Sequence, residues 1–374
     1  MKPILGWTML SREEMRQAER LASGEQDTRD EIGFLLIHQG FADRFFPGTS
    51  VLHTRVRYAL FVPWLYLQAA AGKGRGSDLD ATIRRQLILL AIRLKQIGGE
   101  PFGVIGGDKL GQLTSQPPDR VYWTALRAWG LLLPAVSSRS EVLRRLQAGR
   151  RTLIDDDGGS LDDQDNEVFA SLPDPPDGWD DPDAPLRFKV PAKERDFLRR
   201  KLSLLARPGE TAQSLLAKLV ATRVSFSSTS SDLPLELDAR ADTVDKQALG
   251  IARDAAGLAA IGRAVYGALV EQLRADDGLG NDATFRTRLH SHFQLYGQAA
   301  SRCDLEGAEL FLPDLPPHVR TVLYETRAYV RAGKPENFFA LRDCYQKAET
   351  TRKTTRRRMV KNLKRFEKAW FPVS

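Results

Sequence analysis

Apolar residues recur at three- and four-residue spacing along most of this chain, which is the period of a helix with one buried face. Leu79, Ile83, Leu87, Leu90 and Leu94 form one such stripe and predict a helix over Asp78–Ile97. Leu249, Ile251, Leu258, Ile261, Val265, Leu269 and Leu273 predict a longer one over Thr243–Ala275. Its centre is small-sided at Ala255, Ala256, Gly257, Ala259, Ala260 and Gly262, so a second helix can approach it closely and it reads as a central packing helix. Ser11 and Glu14 have capping-box spacing, which predicts a helix over Arg12–Leu21. Shorter periodic stretches predict helices over Val121–Leu132, Glu141–Leu146, Ala192–Leu205, Thr211–Val220, Asn281–Tyr296 and Leu315–Ala332. A last helix is expected to open at Pro335, a favoured first position, and to run to Trp370. No strand series and no fixed-period repeat stands out, so the expected fold is mainly α and multi-helix.

One stretch departs from this plain patterning. Between Asp30 and Gln68, Phe34, Phe41, Phe45, Phe46, Tyr58, Phe61, Trp64 and Tyr66 crowd against His38, His53, Arg44, Arg55 and Arg57. Pro47-Gly48-Thr49-Ser50 reads as a turn, with Ser50 capping a helix from Leu52 through Tyr58 that Pro63 kinks or restarts. The density of rings marks either a binding site or the organising core of an N-terminal domain.

The patterning also suggests a division into domains. Residues 154–186 are rich in Asp, Gly and Pro and poor in hydrophobes, too poor to offset their ordering entropy. They are expected to form an acidic linker or mobile loop between an N-terminal helical domain, 1–153, and a C-terminal one, 187–374. Trp179, the one large apolar group in that segment, would serve as a docking anchor. Within the first domain, two short helices over 120–151, the second carrying Arg144, Arg145, Arg150 and Arg151, fit a helix-turn-helix or winged-helix unit, or simply two packed helices.

Composition adds limits. With 374 residues, 42% hydrophobic and 28% charged, the chain can bury sizeable cores as a soluble protein. Two cysteines, Cys303 and Cys344, are too few for a disulfide scaffold. The N-terminus lacks a long apolar region, and no apolar run reaches membrane-spanning length, so a cytoplasmic protein without membrane contact is expected. The formal charge of +7 is unevenly spread. Residues 155–183 hold twelve acidic residues and no Lys or Arg, whereas 346–368 hold ten Lys or Arg against Glu349 and Glu367.

That second run carries the sharpest candidate surface. Met359, Leu363, Phe366 and Trp370 make an apolar stripe, and Lys353, Arg356, Arg357, Arg358, Lys361, Lys364, Arg365 and Lys368 surround it. A basic ridge of this kind suits phosphate backbones, because each neutralised phosphate releases counterions. Its alternative partners are acidic protein residues. Arg144, Arg145 and Arg151 would add to the nucleic-acid contact. Other chemistry finds less support. His290-x-His292 has no carboxylate or cysteine at ligand spacing, and the glycine-rich stretches 72–76 and 103–111 lack Gly-Lys-[Ser/Thr], so no metal or cofactor is implied. His38, Asp43, His53 and Arg55 could form a general-base site of a nuclease, or be ordinary hydrogen-bonded core residues.

Gly6-Trp7 with Ser11-Arg12-Glu13-Glu14, then Phe45-Phe46-Pro47-Gly48-Thr49-Ser50 and Arg55-Val56-Arg57-Tyr58-Ala59-Leu60-Phe61-Val62-Pro63-Trp64, resemble an uncharacterised bacterial family of unknown function. Val121–Gly130 and Leu172-Pro173 through Gly178-Trp179 resemble it too. Its members occur beside helicases and nucleases in phage-defence or mobile gene clusters. The resemblance therefore implies an accessory, non-enzymatic subunit of a DNA-directed complex, with DNA rather than RNA as ligand and a helicase or nuclease as protein partner. It carries no catalytic residue to transfer. A nuclease and a scaffold that binds only protein remain the alternatives.

Overall fold

A computed structural model describes residues 32–72, 78–96, 102–152, 167–222, 233–279 and 283–353. The protein is mainly helical; among the described residues there is no β-strand, only the isolated bridges Leu132–Phe169 and Ala206–Gln213. In chain order the helices are α1 (Phe34–Phe45), α2 (Tyr58–Ala71), α3 (Leu79–Lys95), α4 (Pro118–Val121), α5 (Trp123–Ala128), α6 (Arg139–Thr152) and α7 (Ala192–Ser203). They continue as α8 (Leu215–Ala221), α9 (Leu233–Arg240), α10 (Thr243–Asp276), α11 (Thr284–Arg302), α12 (Leu305–Phe311) and α13 (Pro317–Ala332). A 3-10 turn, Pro335–Leu341, precedes α14 at 342–353.

Two compact units result, one spanning residues 43–224 and the other joining 1–42 to 225–374. The first has α2 at its centre. Tyr58 to Tyr66 are buried without a break, so the first nine residues of this helix have no solvent face, and exposure begins only at Leu67. It continues through Pro63 without the restart that is one of the two outcomes the sequence predicts there. Nor does a helix start at Leu52. Ser50 Oγ accepts from the Leu52 amide in a local turn, and α2 begins only at Tyr58. Tyr122 fixes that start, because its hydroxyl accepts from the Arg55 amide at 3.1 Å and donates to the Arg55 carbonyl at 2.7 Å. On α3 the predicted stripe from Leu79 to Leu94 is buried, and Asp78 caps the helix at the Asp80 amide.

The acidic segment is not a linker across its length. Residues 153–166 lie outside the described residues, but 167–190 run over the core of the first unit, turning at 177–180 and 182–183. Trp64 Nε1 donates to the Pro173 carbonyl at 2.9 Å. Arg93 donates to the carbonyls of Ala184, Trp179 and Gly178 at 2.8, 2.9 and 2.7 Å. One buried guanidinium thus satisfies three carbonyls of a segment that has no helix or strand of its own. The boundary expected at 154–186 is accordingly placed elsewhere, and Trp179 is a core residue here.

The 120–151 pair is not a helix-turn-helix. Residues 129–138 join α5 to α6, longer than a tight turn. Gly130 turns there with φ +63, and Leu131 and Leu133 exchange backbone hydrogen bonds with Ala170 and Val168.

In the second unit α10 is the central helix that the small residues predict. A Cβ on Gly257 would lie 3.2 Å from Ala299, and one on Gly262 would strike the Phe34 ring at 2.0 Å. Bare backbone at these two places lets α11 and α1 come close. The N-terminus of α11 is capped by Glu271 of α10, whose carboxylate accepts from the amides of Phe285 and Arg286 at 2.9 and 3.1 Å. The last helix differs from expectation: Pro335 opens a 3-10 turn, α14 starts at 342, and the continuation beyond 353 lies outside the described residues. No described helix is long and apolar enough to cross a membrane.

Candidate nucleic-acid interface

Arg57 organises a cationic face of the first unit. Only 4% exposed, it donates through Nε and Nη2 to both carboxylate oxygens of Glu194, itself 3% exposed, at 2.7 and 2.5 Å. Its Nη1 donates to the Arg187 carbonyl at 2.5 Å, and its guanidinium lies over the Phe61 ring at 5.0 Å. These bonds fix the first turn of α7 and the segment leading into it. They also draw Glu194 out of the surface charge.

What remains outside on 187–201 is nearly all positive. Arg187, Lys189, Lys193, Arg195 and Arg200 are exposed, and Phe197 and Leu198 hold the opposite face of α7 in the core. The counter-charge left on this face is Asp196, at 3.5 Å from Arg195 and 4.0 Å from Arg199. Lys201 lies along the Phe197 ring and donates to the Gly130 carbonyl. Among the described residues Arg187, Lys189, Lys193 and Arg200 make no ion pair. Formal counting along the sequence hides this surface, because it enters Glu194 as a neighbour of Lys193 and Arg195. The signal within reach was the run of seven Lys or Arg from Arg187 to Lys201.

Arg55 extends the face. Its guanidinium lies 5.4 Å from the Phe188 ring and 5.8 Å from that of Phe102, and it donates to the Phe102 carbonyl at 3.3 and 3.4 Å.

Of the cations singled out from sequence for nucleic-acid contact, Arg144 and Arg145 lie on α6. Arg144 and Arg145 both bind Glu141, at 2.6 and 2.7 Å, and hold its carboxyl down at about 2, mainly through hydrogen bonds. Arg145 also donates to the Ala135 carbonyl. The side chain of Arg151 lies outside the described residues, as do Arg356, Arg357, Arg358, Lys361, Lys364, Arg365 and Lys368. Lys353 ion-pairs with Glu349 one turn earlier.

His38, Asp43, His53 and Arg55 take separate partners rather than one another. His38 lines a cleft of about 210 Å³ between α1 and α10, with Arg263 beside it. Withdrawal from water, then the charge of Arg263, lowers its pKa. Asp43 accepts from the Gly48 amide at 3.1 Å. His53 stacks on Tyr122 with centroids 4.2 Å apart and bonds the Val121 carbonyl through Nε2 at 2.9 Å. Burial lowers the His53 pKa below its ordinary 6.5, partly offset by that bond. Among the described residues no group of three or more His, Cys, Asp or Glu could hold a metal.

A pH dependence follows from His53. Because its folded-state pKa lies below 6.5, the unfolded chain takes up the proton first as pH falls. The stability contributed by the neutral ring is therefore whole above that value and is lost as pH drops through it toward the folded pKa. Thermal unfolding should show a lower melting temperature at about pH 5.5 than at about pH 7.5, with a smaller difference in His53→Gln. An unchanged difference would place the effect on other groups.

No curated protein and no solved structure matches the chain. A family model does match it, over residues 2–285, reaching from the N-terminus through the whole cationic face of α7 and into α11. The chain belongs to that family, a family of unknown function (DUF6361).

Proposed function

We propose that the protein binds nucleic acid without acting on it catalytically, as the accessory subunit of a bacterial DNA-directed complex of the phage-defence type. The observation that carries this reading is the exposed set Arg187, Lys189, Lys193, Arg195 and Arg200, against which only Asp196 is left outside because Glu194 is taken inward by Arg57. A helix left with such an excess of positive charge favours a polyanion, and the gain comes from counterion release. The basic run from Lys353 to Lys368 adds charge of the same sign in the sequence. The resemblance at Phe45–Ser50 and Arg55–Trp64 supports DNA as the ligand and a helicase or nuclease as protein partner.

The test is affinity for a labelled DNA oligonucleotide measured across salt concentration. Lys193, Arg195 and Arg200, all changed to Glu, should weaken binding about 100-fold at about 0.1 M salt and flatten the log–log salt slope by about one per lost contact. The loss should be uniform across sequences, since phosphate contacts carry no base information. Weak binding at low salt, or a flat slope in the unaltered protein, would refute the reading and favour a scaffold that touches only protein.

A further inference from the structure

We infer that the nucleic acid taken by this face is single-stranded, with a base stacking at Phe102 beside Arg55. The inference rests on the reading above and names its substrate class. Phe102 lies in the glycine-rich loop after α3 and is 39% exposed, although large rings are ordinarily covered. The loop is held in place rather than dangling. Thr54 Oγ1 donates to the Gly103 carbonyl at 2.6 Å, and Arg55 reaches the Phe102 carbonyl with two nitrogens. Gly103 has φ +86, and a Cβ there would sit 3.1 Å from Arg55 Nε, so the glycine lets the guanidinium lie against the loop. Leu52 and Val56, on the turn that carries Arg55, are exposed as well.

An exposed ring and apolar side chains therefore lie one guanidinium away from the segment that carries Arg187 and Lys189, neither of which is ion-paired among the described residues. The link runs through the backbone, since Arg55 bridges Phe102 to the buried ring of Phe188, whose chain neighbours Arg187 and Lys189 are exposed. Duplex DNA presents phosphates and hides the faces of its bases, so it could use the cations and leave the ring idle. A single strand offers both phosphates and unstacked bases, which is the pairing of charge and aromatic platform that single-strand sites use. Arg55 adds a cation–π partner to the same base.

The experiment compares fluorescence anisotropy of a labelled oligothymidylate of about 20 nucleotides with that of a duplex of equal length, across salt. Anionic phosphatidylserine vesicles form a third arm. The single strand should bind more tightly than the duplex, and Phe102→Ala should weaken it about 10-fold with the salt slope unchanged. Phe102→Trp should retain affinity. Equal single-strand binding by wild type and Phe102→Ala, with a normal salt slope, overturns this inference and leaves the proposed function standing. Absence of binding to either oligonucleotide overturns both. Vesicle binding that depends on Phe102, with no oligonucleotide binding, would reassign the face to a membrane surface.

Discussion

Replacing Arg57 with alanine is expected to destabilise the unit spanning 43–224 by about 3–5 kcal/mol, because it leaves the Glu194 carboxylate buried without its partner. Both groups are almost fully out of water, and each of the two bonds between them is short. The Arg187 carbonyl loses a donor in the same step. The pair does not by itself imply large net stabilisation: replacing both members with apolar residues of similar size is often neutral or better. Arg57→Met combined with Glu194→Leu should therefore recover much of what either single change loses. Urea unfolding followed by tryptophan fluorescence reads this unit, since four of the six tryptophans lie in 43–224. A loss below about 1 kcal/mol in Arg57→Ala would mean the carboxylate finds water, and α7 is not fixed as described. The double variant separates stability from function. It removes no exposed cation, so its salt slope for nucleic acid should stay near that of wild type.

The parts of the fold that were legible in the sequence are those set by local period. The α3 stripe from Leu79 to Leu94 and the small centre of α10 need only neighbours three and four residues away to be read. The parts that were not legible depend on distant partners. Nothing near Trp179 or Ala184 announces that Arg93, some 85–91 positions earlier, will take their carbonyls. Without that donor, 167–186 has the composition of a linker. The cationic face of α7 was hidden the same way: Glu194 counts against it along the chain, and only the fold carries that charge to Arg57, 137 positions away. His53 and Asp43 show the converse. Proximity in sequence suggested one acid–base site, but Tyr122 and Val121 claim the first and the Gly48 amide the second. The aromatic block kept both meanings offered by its composition. Phe61, Trp64 and Tyr66 are core, while Arg55 at its edge reaches the surface beside Phe102.

Trp179→Ala should cost about 3–5 kcal/mol, the range for deleting a large aromatic from a core. The indole is 5% exposed, lies parallel to Phe61 with centroids 5.9 Å apart, and meets Trp64 edge-on at 5.6 Å. Arg93 sits over it at 5.7 Å while donating to its carbonyl. Deletion would open a void between α2 and the 167–190 segment and remove the ring against which Arg93 is positioned. Arg93→Met tests the same joint from the other side, because it keeps apolar bulk and leaves the carbonyls of Gly178, Trp179 and Ala184 without that donor. Each such group costs about 1–3 kcal/mol where water cannot replace the bond. Both variants should speed proteolysis within 167–190, since the segment has no ladder or helix of its own to hold it. A docking anchor on a mobile linker predicts the opposite: Trp179→Ala would change stability by less than about 0.5 kcal/mol, as surface changes do. Unfolding midpoint and cleavage rate, measured on the same two variants, therefore decide whether the acidic segment is a tether or part of the core that positions α7.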